Sequence, residues 1–244
     1  MSHIWIKSFI FYSDMRQKKI KNEKNIIDNF EILKEHMQRI DNIAKSDNRF
    51  AYDSIVWYLQ ILKRNKDNPG QKGNSKVIKN FYFSNAQEMM DNKERIIDYC
   101  EKHNARAYLR PSPRLKSSII KQVIKDAIDC LDNCKDVKLD GLISKASGRV
   151  GVPQHFGIKK FWTVDIDTKD REFIDEVKGS ILSIVYDYMS AEDFEEFSKS
   201  MFEVPTKNGV HVICKPFNLN QLDERFSDFV DIHKDNPTIL YCNT

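Results

Sequence analysis

The sequence predicts an α+β protein: a mixed β-sheet flanked by helices, with an N-terminal helical segment. Three observations carry this expectation. From residue 77 onward, short runs of β-branched and aromatic residues alternate with amphipathic helical patterns. Asn208-Gly209, set between two such runs, marks a β-hairpin. The first 76 residues carry helical spacing and a polar loop but no motif that assigns them a role. The chain therefore divides into residues 1–76 and 77–244.

The elements follow in order. Residues 17–45 place Ile26, Ile27, Phe30, Leu33, Met37, Ile40 and Ala44 at three- and four-residue steps, predicting a helix. A second helix is predicted over 50–64, before a loop holding Pro69, Gly70 and Gly73. "VIKNFYFS" reads as a strand, then a helix capped by Ser84 or Asn85, then the strand "ARAYLR", stopped by Pro111 and Pro113. Residues 115–134 predict a helix whose apolar stripe is Ile119, Ile120, Val123, Ile124, Ala127, Ile128 and Leu131. Residues 144–159 read as a glycine-containing loop, followed by the strand "KFWTVDID". Helices near 170–189 and 191–199 lead to the hairpin formed by "MFEVP" and "VHVICKP". A helix near 218–226 and the strands "FVDIHK" and "TILYC" complete the pattern.

Composition bounds the function classes. With 244 residues, 41% hydrophobic, the chain can bury a real core. The net charge of +3 does not by itself argue for a polyanionic partner. Five cysteines make no secreted-type disulfide framework, and the apolar start, broken by Lys7, is too short to span a bilayer. The expectation is a cytoplasmic protein with no membrane partner. Cys100-x-x-His103 with Cys130 and Cys134 has the outline of a zinc site, but these cysteines sit at or beside helical apolar positions and read as core thiols.

Chemistry enters at "FWTVDIDTKD", residues 161–170. On a strand, Asp165 and Asp167 share one face, because side chains alternate with period two. Two carboxylates so placed suit a hard cation such as Mg²⁺, with phosphates completing its shell. They also suit a turn and a helix cap. The hairpin places His211 two residues after Gly209, with Thr206, Lys207 and Asn208 at the tip. That set offers an imidazole, an ammonium, a hydroxyl and backbone N–H groups, all compatible with a triphosphate. In "FVDIHKDNPTILY", Asp231 is an acid in an apolar run, while Asp235 sits at the turn before Pro237.

In that order, a D-x-D strand, a "T-x-N-G-x-H" hairpin and a late apolar-flanked Asp resemble the archaeo-eukaryotic primase, or primase-polymerase, superfamily. Within it, the chain looks like a small member of the kind carried by viruses and mobile elements. The resemblance covers roughly residues 160–235 and implies an RRM-like catalytic core. It further implies Asp165, Asp167 and Asp231 as catalytic ligands of two Mg²⁺ or Mn²⁺ ions, with Asp235 competing for the third place. His211 would hold nucleotide phosphates, helped by Lys207, Thr206 and Asn208. The implied activity is DNA primase- or polymerase-like nucleotidyl transfer, making or extending a strand on a single-stranded template or primer–template. A replicative helicase or another replication protein would be a partner, and the host cytoplasm the location if a virus encodes it.

A template needs a cationic track. Arg106, Arg110 and Arg114, with Tyr108 among them, are the candidates for nucleic-acid contact. Lys116, Lys121 and Lys125 fit a solvated helix face as well. Ser147-Gly148-Arg149 lacks P-loop spacing, so it supports no ATPase. Two other readings use the same residues. One is a metal-dependent nuclease with His211 as a direct ligand. The other is a non-catalytic single-strand-binding module.

Overall fold

The computed structural model describes residues 26–46, 54–70, 73, 75–133, 139–151 and 160–243. The fold is α+β. Sheet one contains β1 (Ile26–Asp28), β2 (Ile55–Lys63), β3 (Lys76–Phe83), β4 (Arg106–Leu109), β5 (Arg114–Leu115) and β10 (Thr238–Asn243). Its order is β1-β10-β4-β2-β3, with β5 pairing onto β2. Sheet two contains β6 (Trp162–Ile166), β7 (Phe202–Pro205), β8 (Val210–Cys214) and β9 (Val230–His233), in the order β7-β8-β6-β9. Every pairing is antiparallel. The expected mixed sheet is thus two antiparallel ones, linked by the short β9–β10 turn.

Seven helices flank them among the described residues: α1 (Phe30–Ser46), α2 (Ala86–Asp91), α3 (Lys93–His103), α4 (Lys116–Asp132), α5 (Leu139–Arg149), α6 (Arg171–Tyr186) and α7 (Ala191–Ser200). Phe30, Leu33, Met37 and Ile40 of α1 join the core of sheet one, which extends to Val204 and Ile213 of sheet two. A second core lies on the other side of sheet two, where Val164, Ile166 and Val212 meet Ile174, Val177 and Ile181 of α6 and Phe197 of α7. Asp170 caps α6 through the Glu172 and Phe173 N–H groups, Ser190 caps α7, and Asn85 caps α2.

Four expectations change. Residues 55–63 form β2, not a helix. Ile55, Trp57, Leu59 and Ile61 alternate into the core, and this β-branched, aromatic run pairs with β3 on one side and β4 on the other. A boundary at residue 76 would therefore separate hydrogen-bonded neighbours. The predicted helix over 17–45 begins at Phe30, after β1, and residues 17–25 lie outside the described residues. Residues 144–149 are the end of α5 rather than loop; Ser147 bonds its own helix at the Ile143 carbonyl, and Gly148 packs near the Arg110 guanidinium. The helix near 218–226 is two 3₁₀ turns, Leu219–Gln221 and Glu224–Phe226.

Several buried polar groups join the elements. Asn29 donates to the carbonyls of Pro205 and Ile239, bridging the two sheets. Asp41 accepts from Trp57 Nε1 and from the Ala86 N–H. Burial raises the Asp41 carboxyl above its ordinary value despite these bonds. Cys100, Cys214 and Cys242 are buried, whereas Cys130, expected among the core thiols, is only half-buried on α4; burial pushes the Cys100 and Cys214 thiols up to about 12, where they stay protonated. Cys134 lies outside the described residues. No described helix is long and apolar enough to cross a membrane.

Candidate functional site

A cleft of about 330 Å³ opens between the two sheets. Its floor comes from sheet two, where residues 162, 164 and 166 face the helices and Thr163, Asp165 and Asp167 face the cleft. Register does the rest. Asp165 stands directly opposite His211 on β8 and directly opposite Asp231 on β9. Directly opposed residues share a face, with Cα atoms about 4.5–5.5 Å apart. Three side chains separated by up to 66 positions are thereby set side by side, with Asp165 in the middle.

His211 is held from both ends. Its Nδ1 shares a 2.8 Å hydrogen bond with Thr238 Oγ1, contributed by β10 of sheet one, and its Nε2 lies 3.4 Å from Asp165 Oδ1. Thr238 is completely buried, so this bond fixes the imidazole plane. Burial pushes the Asp165 carboxyl up, but the His211 contact, aided by the charges of His211, His233 and Arg64, outweighs it. The net effect holds Asp165 below its ordinary value, ionised at neutral pH.

The hairpin tip, residues 206–209, forms one end of the cleft. The last β7–β8 pair is Pro205 with Val210, the Thr206 N–H donates to the Gly209 carbonyl, and the Gly209 N–H donates to Thr206 Oγ1. The positive-φ residues among those described are Asn104, Gly70 and Gly73, so Gly209 is glycine for a different reason. A Cβ there would collide with the Ile166 carbonyl oxygen and fall 2.7 Å from both Thr168 N and Thr168 O. The loop carrying Thr206, Lys207 and Asn208 is pressed directly against the exit of the D-x-D strand.

The facing wall comes from sheet one: Leu62, Arg64, Arg106, Tyr108 and Ile239. Arg106 lies at the cleft, as the strand alternation predicts, but its guanidinium is already engaged bidentately by Asp67 at 2.6 and 2.7 Å. Arg64 donates to the Tyr108 hydroxyl at 3.1 Å, and no described carboxylate lies within 4 Å of it.

Arg110 and Arg114, expected along a nucleic-acid path, are placed elsewhere. Arg114 is fully buried and grips Asp235 through both carboxylate oxygens at 2.7 Å. Arg110 donates to the Asp235 backbone carbonyl and stacks over Tyr58. These arginines tie the turn after β4 to the β9–β10 turn, and neither is presented to a strand in solution. The same contacts engage Asp235 with two arginines, whereas Asp231 stands opposite Asp165 in register.

Sequence reasoning missed two cleft residues. His233 follows Asp231 at period two, pairs with Thr163 and lines the cleft, so the alternation of "VDIH" already contained it. Arg64 was hidden because β2 reads as a helix. Lys121 and Lys125 are exposed on α4, outside the cleft lining.

The donor set suits a hard divalent ion. Asp165 is ionised, and Asp167 and Asp231 are exposed, with no side-chain hydrogen bond or ion pair to another described residue. No three acidic, histidine or cysteine side chains among the described residues already converge on a single ion position, and Asp231, opposite Asp165 in register, is not among the residues that line the cleft, as Asp165 and Asp167 are. Comparison with family models, curated proteins and solved structures returned no match.

Proposed function

We propose that the cleft binds a nucleoside triphosphate and carries out nucleotidyl transfer on a single-stranded template or primer–template, in the manner of primase-polymerases. The observation that supports this best is the side-by-side register of His211, Asp165 and Asp231 on one face, with the Arg64 guanidinium on the facing wall.

Asp165, Asp167 and Asp231 would hold the Mg²⁺ or Mn²⁺ ions. When bound, such ions supply Lewis acidity at the attacking 3′-hydroxyl and charge neutralisation at the leaving pyrophosphate. The chain's own residues orient the substrate. His211, fixed by Thr238, presents Nε2 beside Asp165, where a phosphate oxygen can accept from it. Lys207 and the N–H groups of the hairpin tip add positive potential at the same end. Arg64 approaches from the opposite wall, bonded to the hydroxyl of Tyr108, which also lines the cleft and suits contact with a sugar or base. Asp231, unencumbered by an arginine, remains free to bind a cation.

The test is extension of a labelled primer–template with nucleotides and Mg²⁺ or Mn²⁺. Wild-type protein should lengthen the strand. Asp165→Asn and Asp231→Asn should each lower the rate by at least about 100-fold, and His211→Gln should raise the KM for nucleotide. Undiminished extension by Asp231→Asn would defeat the assignment. Shortening of the strand without nucleotides would support a nuclease, and binding without either reaction a non-catalytic module.

A further inference from the structure

Helix α4 presents an apolar stripe that no element among the described residues covers. Its packed side carries Ile119 and Asp126 toward the rest of the molecule, and α5 runs alongside. Its other side exposes Ile120 (48%), Ile124 (55%), Ile128 (53%) and Leu131 (65%). Steps of four, four and three residues place these on one line along a helix about 25 Å long. By contrast, α6 buries Ile174, Val177, Ile181 and Ile184 completely or nearly so. A contiguous row of large aliphatic side chains in water marks an interaction surface.

The charges along α4 identify the partner. Lysines lie toward its N-terminal side (Lys116, Lys121, and Lys125 just past the middle), and Asp129 and Asp132 in its last turns. The first turn holds no acid and the last turn no base, the reverse of what an isolated helix dipole favours. An antiparallel copy of the same helix relieves both faults, because it sets an acidic end beside each basic end. We propose that the chain forms a two-fold symmetric dimer in which α4 packs antiparallel against α4 of a second copy.

In that arrangement Ile120 of one copy meets Leu131 of the other, and Ile124 meets Ile128. Lys121 and Asp132 are eleven residues apart, hence about 20° apart around the axis, on the same flank of the stripe. Flanking residues on one side of an antiparallel pair face the same side of the partner, so Lys121 meets Asp132 twice, once at each end. Both are exposed, and neither makes an ion pair with another described residue. The surface is self-complementary, as a two-fold interface must be. This proposal is independent of the reading of the cleft.

Sedimentation equilibrium of the full chain tests it. Wild-type protein should sediment at twice the chain mass at tens of micromolar. Ile124→Glu and Ile128→Glu should each raise the dissociation constant at least 100-fold with unchanged circular dichroism, since both positions are exposed. Lys121→Asp should weaken the dimer at low salt, and Lys121→Asp combined with Asp132→Lys should restore it. A wild-type monomer, whether another segment or a different protein covers the stripe, overturns the proposal. So does a dimer indifferent to both glutamates, or a charge swap that fails to restore association.

Discussion

His36 is a fully buried imidazole on α1, wedged among Trp57, Phe161 and Phe202, and its Nε2 lies 2.7 Å from the Pro111 carbonyl oxygen. Burial lowers its pKa from 6.5 to about 4, so the folded protein holds it neutral where an unfolded chain would protonate it. Between those values the unfolded state binds the extra proton. Stability from this residue is therefore complete above about pH 6.5 and is lost as pH falls toward 4, up to roughly 3 kcal/mol. Urea titrations at pH 7 and pH 5 should show a smaller loss for His36→Gln than for wild type. Residue by residue, the placement of the candidate residues in sheet two was legible because a strand leaves so little freedom: once "WTVDI" and "VHVIC" are strands, Asp165 and His211 can face only one of two ways. What the sequence could not convey was partnership. Arg110, Arg114 and Asp235 read as a cationic track and a stray acid until the fold brings residues 121 positions apart into one ion cluster.

At the scale of the element, the hairpin and β2 teach opposite lessons. Asn208-Gly209 correctly signals the β7–β8 hairpin, yet the glycine is required by the backbone of Ile166 and Thr168 rather than by the turn itself. Gly209→Ala should push the tip away from β6, costing about 2 kcal/mol by overpacking and weakening nucleotide binding. Denaturation midpoints and a nucleotide titration on the same variant would register both effects. For β2, the run "IVWYLQILK" satisfies helical spacing as well as strand alternation, and only its two hydrogen-bonded neighbours decide between them. The stripe of α4 was read as amphipathic, and the fold divides it: Ile119 is inside and Ile120, Ile124 and Ile128 are outside. Periodicity reports that a face wants cover, not which molecule supplies it.

Over the whole molecule, the cleft lies between two sheets that are tied where the chain passes from one to the other. Thr238 reaches His211, Asn29 bridges Pro205 and Ile239, and Asp235 locks the connecting turn onto buried Arg114. Asp235→Ala should leave that guanidinium buried without its carboxylate and destabilise the protein by about 3–5 kcal/mol. Replacing both Arg114 and Asp235 by leucine should recover much of that loss. Chemical denaturation of the two variants, read beside extension activity, separates a structural clasp from a metal ligand: a ligand would lose turnover while keeping its melting behaviour.

The position of β10 has a consequence for biosynthesis. Residues 238–243 slot between β1 and β4, strands made more than a hundred residues earlier. On the ribosome, the first sheet must wait with a gap in its middle, its β4 edge unsatisfied, until β10 emerges. Such long-range closure folds slowly and leaves an adhesive border exposed in the interval, so nascent chains halted before residue 238 should be the ones that chaperones hold.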